Sequence, residues 1–269
     1  MASSHEGDLS IMKKPNVCVL KTDGINCDEE MSYAFEVANG IPETVHINQL
    51  RSGEKRLGNY SILALPGGFS YGDDIASGQV LANELKSFLF DQLNEFKSQE
   101  KPILGVCNGF QVLVRTGLLP EGELGKQVAT LSTNEIGRFE CRWIDLAIGN
   151  SVCKFIQPED FADQPLPMQI AHGEGRFVAD DNIISKINTN RQVIFRYSTL
   201  DLQKPSGYPE NPNGSIDDIA GICDPTGLVV GMMPHPERSI GSFHPHRVRT
   251  EVSQNAAEVI FKNIVNYVQ

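Results

Sequence analysis

Short apolar runs alternate with polar, glycine-punctuated stretches through the first half of the chain. Asn16 to Lys21 holds Val17, Cys18, Val19 and Leu20 without interruption, which predicts an inner strand. After a turn at Thr22 to Asn26, the stretch Cys27 to Asn39 carries Met31, Ala34, Phe35 and Ala38 at helical spacing, with Gly40 as its stop. Strands are expected at Glu43 to Ile47, Ser61 to Leu65 and Lys101 to Val106, with a polar link over 51–59. Ser77 to Ser98 reads as one helix with Leu81, Leu85, Leu89 and Leu93 on one side. Another helix begins at Asn108, with Phe110, Val112, Leu113, Leu118 and Leu119 for its buried face. Strand–helix alternation of this kind implies a parallel sheet covered on both faces. Right-handed crossovers then bring the strand C-termini, and the turns after them, to one edge.

Beyond about residue 125 the pattern becomes β-rich. Glu140 to Ile148, Met168 to Ala171, Gln192 to Tyr197, Asp218 to Cys223 and Leu228 to Met233 read as strands. Helix is expected to return only at Val252 to Tyr267, with Ala256, Val259, Ile260, Ile264 and Val265 inward. Residues 1–14 are patternless and polar, a tail preceding one domain over 15–269. The fold class is α/β: a single-domain three-layer sandwich with a mostly parallel central sheet, and a β-rich segment that continues or flanks it.

With 40% hydrophobic and 21% charged residues the composition is that of a globular chain large enough for one sizeable core. The net charge of −11 argues against nucleic acid and against an anionic membrane surface as partner. No apolar run approaches membrane-spanning length and no leader is visible, so the expected location is the cytoplasm. The six cysteines include no Cys-x-x-Cys pair.

Three runs carry candidate chemistry. In Gly105-Val-Cys107-Asn-Gly109 a cysteine follows a strand and opens a helix, the nucleophile-elbow spacing with sulfur for oxygen. A helix N-terminus offers unpaired N–H groups and positive potential, which favour thiolate. A plain buried cysteine fits the same letters, since free cysteine packs well. Pro66-Gly67-Gly68 after the third strand lets backbone approach a ligand, or simply turns. Met233-Pro-His235-Pro-Glu237-Arg238 places an imidazole and a carboxylate two apart on an extended strand end, the parts of an oriented general base. A metal reading would gather His235, His244 and His246, but no carboxylate or cysteine joins them at a known spacing. Together the runs supply nucleophile, base, orienter and oxyanion donors at Gly68 and Asn108.

Six stretches resemble one family in order along the chain. They are Gly24-Ile-Asn-Cys-Asp28, Pro66-Gly-Gly-Phe-Ser-Tyr-Gly-Asp73, Gly105-Val-Cys-Asn-Gly-Phe-Gln111, His172-Gly-Glu-Gly175, Asn211-Pro-Asn-Gly-Ser215 and the His235 run. The chain resembles the triad (class I) glutamine amidotransferases and, within them, the glutaminase subunits of phosphoribosylformylglycinamidine synthases. The resemblance implies a flavodoxin-like fold and glutamine hydrolysis through a thioester on Cys107, with His235 as acid–base and Glu237 orienting it. It also implies Gly68 and Asn108 as oxyanion donors, Gln111 as a glutamine contact, and His172, Glu174, Asn211 and Asn213 on loops facing a partner. That partner is a large synthetase, with a small accessory subunit, which would take the ammonia in purine biosynthesis. No metal or cofactor is expected in this chain; ATP and Mg belong to the synthetase, and Gly125-Lys126 is no phosphate-binding loop. The family's usual proline is replaced around Thr22-Asp23, and the segments 161–167 and 200–209 look longer than in compact members. Alternatives are service to another synthetase, a related elbow-cysteine hydrolase, or a binding module that has lost catalysis.

Overall fold

The computed structural model describes residues 14–161, 164–240 and 251–269, the last from residue 257 onward for side chains. The tail over 1–13 and the histidines His244 and His246 lie outside the described residues. Eleven strands occur among the described residues: β1 Asn16–Lys21, β2 Ile41–His46, β3 Ile62–Leu65, β4 Ile103–Val106, β5 Ala129–Ser132, β6 Glu140–Ile148, β7 Leu166–His172, β8 Arg176–Ala179, β9 Val193–Ser198, β10 Ile219–Cys223 and β11 Val229–Met232. The helices are α1 Asp28–Val37, α2 Ile47–Ser52, α3 Gln79–Phe88, α4 Phe90–Ser98, α5 Asn108–Thr116, α6 Asp181–Thr189 and α7 Glu251–Tyr267.

Nine strands form one sheet in the order β2-β1-β3-β4-β11-β10-β9-β6-β7. Pairing is parallel from β2 to β11 and antiparallel from β11 to β7. The β-rich half therefore extends the same sheet, and adds a separate β5-β8 ribbon. Strands β3, β4 and β11 are fully buried, as continuous apolar runs between two helical layers must be. Because β1 connects to β2 on one side and β2 returns past it to β3, right-handed crossovers put α1 and α3 on opposite faces. On the first face Phe35 of α1 meets Phe261 of α7 edge-on at 5.1 Å between ring centroids. On the other, α3 and α5 pack together over β4.

Several elements depart from the sequence expectation. The predicted helix over 77–98 is two helices, because Gly78 adopts φ 75° and starts α3 late, and Leu89 bends to φ −118° between α3 and α4. Helix α5 stops at Gly117 (φ 84°), so Leu118 and Leu119 are buried beyond the helix and not on its face. Between the expected strand at Glu43 to Ile47, observed as Ile41–His46, and the polar link lies α2, capped by the His46 side chain and ended by left-handed Gly53. Helix does not return only at the C-terminus: α6 intervenes, a surface helix that packs Ile183, Ile184 and Ile187 against the core, with Ile187 its one fully buried residue. Strands β5 and β8 also fall outside the expectation: they are no shorter than β3, β4 and β11, but their residues are only partly buried.

Parallel registry aligns Leu65 with Gly105 and Gly105 with Gly231. The turns after β1, β3, β4 and β11 thus leave the sheet side by side. No helix among the described residues is long and apolar enough to cross a membrane.

Candidate active site

Cys107 sits where β4 becomes α5, with φ 51° and ψ −106°. A non-glycine residue rarely holds such a backbone, and strain of this kind persists only where its surroundings enforce it. They do so through the flanking glycines. A Cβ on Gly109 would lie 2.0 Å from Leu65 O, and one on Gly105 would lie 2.6 Å from Leu113 Cδ1 and 2.7 Å from Gly109 O. The helix can follow the strand this abruptly only because both positions lack side chains. Cys107 N–H donates to Met232 O (2.8 Å), which ties the elbow to β11, and its thiol reaches Ala171 O of β7 at 3.6 Å.

Beyond the end of β11, His235 N–H donates to Gln169 O (2.8 Å), forming a lone bridge to β7 that fixes the imidazole's backbone. Glu237 was expected to share His235's direction along a strand. Instead Pro236 to Ser239 form a 3-10 turn with proline at its start, and that turn carries the carboxylate back to the ring. His235 Nδ1 stands 2.6 Å from Glu237 Oε1, with both side chains buried. Burial alone would lower the pKa of His235. The Glu237 carboxylate first, then Cys107 and Cys27, reverse that effect and raise it well above the ordinary histidine value. The carboxylate therefore favours the charged form of the ring. Nδ1–H faces the carboxylate, and Nε2 lacks a hydrogen bond of ordinary geometry.

The turn after β3 closes the site. A Cβ on Gly67 would lie 2.7 Å from His235 Cε1 and 3.3 Å from both Cys107 Cβ and Cys27 Sγ. Ring, nucleophile and a second thiol thus converge on one backbone position. Gly68 (φ 140°) pairs with Ile25 as a lone antiparallel bridge, flanked by the bond from Phe69 N–H to Gly24 O (2.8 Å). In such a pair the residue's own N–H turns away from its neighbour. Asn108 N–H is a first-turn donor that the helix itself cannot satisfy.

Gln111 does not present a free amide. Its Nε2 donates to Glu174 O (2.6 Å) and its Oε1 accepts from Asn108 Nδ2 (3.1 Å). Asn108 Nδ2 also reaches Asp73 Oδ1 (3.2 Å), and burial raises the pKa of that carboxyl. Glu174 Oε2 accepts from Ser77 N–H and lies 3.7 Å from Arg115 Nη2. The loop after β7 is thereby fastened over α5.

Of the four residues expected on partner-facing loops, only Glu174 is partly exposed; His172, Asn211 and Asn213 turn inward. Asn213 Nδ2 donates to Gly175 O and Tyr197 Oη, and Asn211 Nδ2 to Asp218 Oδ1, because these loops need internal donors to bury their backbone. His172 Nδ1 lies 3.1 Å from Asn134 Oδ1, an acceptor, so the proton is on Nδ1. Burial, then His235, pushes its pKa down to about 3, leaving a neutral ring. The segment 200–209 carries exposed Leu200, Leu202 and Tyr208, the last under the guanidinium groups of Arg138 and Arg142.

Sequence reasoning gave Cys27 no role, although it stands in a quoted motif. It ends the turn after β1, on the same edge as Cys107, and that placement was the available signal. Cys27, His235 and Glu237 each bring a possible ligand atom within 4.8 Å of the others, a different grouping from the three histidines.

The family model for the CobB/CobQ-like glutamine amidotransferase domain matches residues 14–268. A curated protein of Methanococcus maripaludis, phosphoribosylformylglycinamidine synthase subunit PurQ, is 42% identical over 94% of this chain and 97% of its own. The protein of that name from Dehalococcoides mccartyi is 46% identical over 87% of this chain and 89% of its own. Among solved structures, a chain of PurLQS from Thermotoga maritima superposes with TM-score 0.71 at 30% identity, covering 96% of this chain and 100% of that one. The glutaminase domain of Trypanosoma brucei CTPS, solved with acivicin, shares the fold at TM-score 0.56 and 13% identity.

Proposed function

The chain belongs to the CobB/CobQ-like glutamine amidotransferase family, and from that premise we propose that it is the glutaminase subunit of phosphoribosylformylglycinamidine synthase. It hydrolyses glutamine and supplies ammonia to a large synthetase subunit, with a small accessory subunit in the complex. ATP and its Mg act on the synthetase, in the cytoplasm, where formylglycinamide ribonucleotide becomes the amidine. The observation that carries the reading is the strained Cys107 elbow facing a buried His235–Glu237 pair across one glycine turn.

In the proposed reaction Cys107 sulfur attacks the side-chain carbonyl carbon of glutamine. The N–H groups of Gly68 and Asn108 receive the developing oxyanion, which a dry, preorganised site stabilises strongly. The His235 imidazolium gives its Nε2 proton to the amide nitrogen, the C–N bond breaks, and ammonia leaves a glutamyl thioester. The now neutral ring takes a proton from water, whose oxygen attacks the thioester. Collapse releases glutamate and returns the thiolate–imidazolium pair. Glu237 holds the Nδ1 proton throughout and favours the charged ring. Gln111 shapes the pocket by holding the loop of Glu174 against α5.

The test is Cys107→Ala in the assembled complex. Glutamine-dependent amidine formation should vanish while synthesis from ammonium continues. Retained glutamine-dependent synthesis would refute the assignment of the nucleophile.

A further inference from the structure

Cys27 is a second sulfur inside the proposed glutaminase site, with no part in the scheme above. It stands immediately before α1, as Cys107 stands immediately before α5, and is 1% exposed. Arg238 Nη2 donates to its sulfur at 3.0 Å, and its own thiol points to Asn26 Oδ1 at 3.4 Å. The same sulfur lies within 4.8 Å of a nitrogen of the His235 ring and of a Glu237 carboxylate oxygen. A Cβ added at Gly67 would stand as close to this sulfur as to Cys107 Cβ.

We propose that Cys27 is a positioning residue for the glutaminase reaction, its sulfur accepting from the Arg238 guanidinium and standing beside the His235 imidazole. A guanidinium is permanently charged. Left facing the imidazole across an apolar side chain, it would repel the protonated ring. The sulfur gives the guanidinium an acceptor, puts electron density between the two cations and packs beside the ring while Nε2 exchanges its proton with amide nitrogen and water. Glu237 controls Nδ1; Cys27 guards the other flank. The groups facing His235 are then Glu237, Cys107, Cys27 and, from β7, neutral His172, with Arg238 behind Cys27.

This inference rests on the proposed function, and the experiment separates the two. Cys27→Ser keeps an acceptor for Arg238 beside the ring. Cys27→Val fills a comparable volume with no lone pair. Both are measured in the full complex for glutamine-dependent kcat, KM and the pH profile of kcat/KM, with co-elution with the synthetase as the folding check. Cys27→Val should lower kcat about tenfold or more with KM little changed, as expected for a misheld catalytic group. It should also move the high-pH limb to lower pH, since activity is lost as the imidazolium deprotonates. Cys27→Ser should stay within a few-fold of the parent with the limb in place. Wild-type behaviour of Cys27→Val overturns the inference, as do equal losses in both variants with an unmoved limb, which would mean packing alone. Failure of the Cys107→Ala test would instead strike the function itself.

Discussion

Adding one methyl group at Gly67 tests the geometry of the site more sharply than removing any catalytic atom. Gly67 does not hold a left-handed backbone, so alanine brings no conformational strain of its own. Its Cβ would stand 2.7 Å from His235 Cε1, where carbon–carbon contact prefers about 3.5–4.0 Å, so the ring must retreat by roughly 1 Å. Cys107 Cβ and Cys27 Sγ, each at 3.3 Å, close the other directions. A misplacement of that size costs about 100-fold in rate, or ~2.7 kcal/mol of barrier. Overpacking should also remove about 1–3 kcal/mol of stability, which a domain of ordinary stability survives. The assay compares glutamine-dependent with ammonium-dependent synthesis in the complex, alongside thermal unfolding. Gly58→Ala serves as control, because a Cβ there meets nothing within 4 Å. If Gly67→Ala turns over glutamine at the parental rate, ring and nucleophile do not converge on that turn, and the proposed site is wrong.

Other consequences follow from the same contacts. Glu237→Gln should shift the high-pH limb of glutaminase kcat/KM downward, because the carboxylate is the leading group holding the His235 pKa up, and should slow turnover about 10- to 100-fold; an unchanged limb would detach Glu237 from the ring. Gly109→Ala drives a Cβ to 2.0 Å from Leu65 O, so chemical denaturation should register a loss of at least about 1–3 kcal/mol along with loss of glutaminase activity. Asn213→Ala takes from buried Tyr197 Oη its Asn213 donor and removes one of the partners of Gly175 O and the Ser215 hydroxyl, which still bond each other, and the denaturation midpoint should fall by the equivalent of about 1–3 kcal/mol; a neutral effect would show the network to be dispensable.

Much of the site was legible because each part sits at the end of an apolar strand that announces itself. β1, β4 and β11 could be read from continuous buried runs, and parallel alternation puts their C-terminal turns on one edge. The small residues around Cys107 are forced by local sterics, so Gly105 and Gly109 mark the elbow in the letters themselves. The shorter elements were hidden for the opposite reason. Helices α2 and α6 are short and bury only two residues and one, so they depend on tertiary packing more than on a long apolar face, with α2 helped by the His46 cap.

By itself, then, the order of residues determined the strand–helix alternation, the elbow and the presence of an imidazole–carboxylate pair, since these depend on periodicity and near-neighbour sterics. Only tertiary structure decided how Glu237 reaches His235, through a turn and not along a strand. It also decided that Gln111 and Asn213 spend their amides inside the chain, and that Cys27 lies beside the ring although 208 positions separate it from His235. Those outcomes are set by sheet order and by which buried donors find acceptors, and neither quantity is written in the spacing of letters.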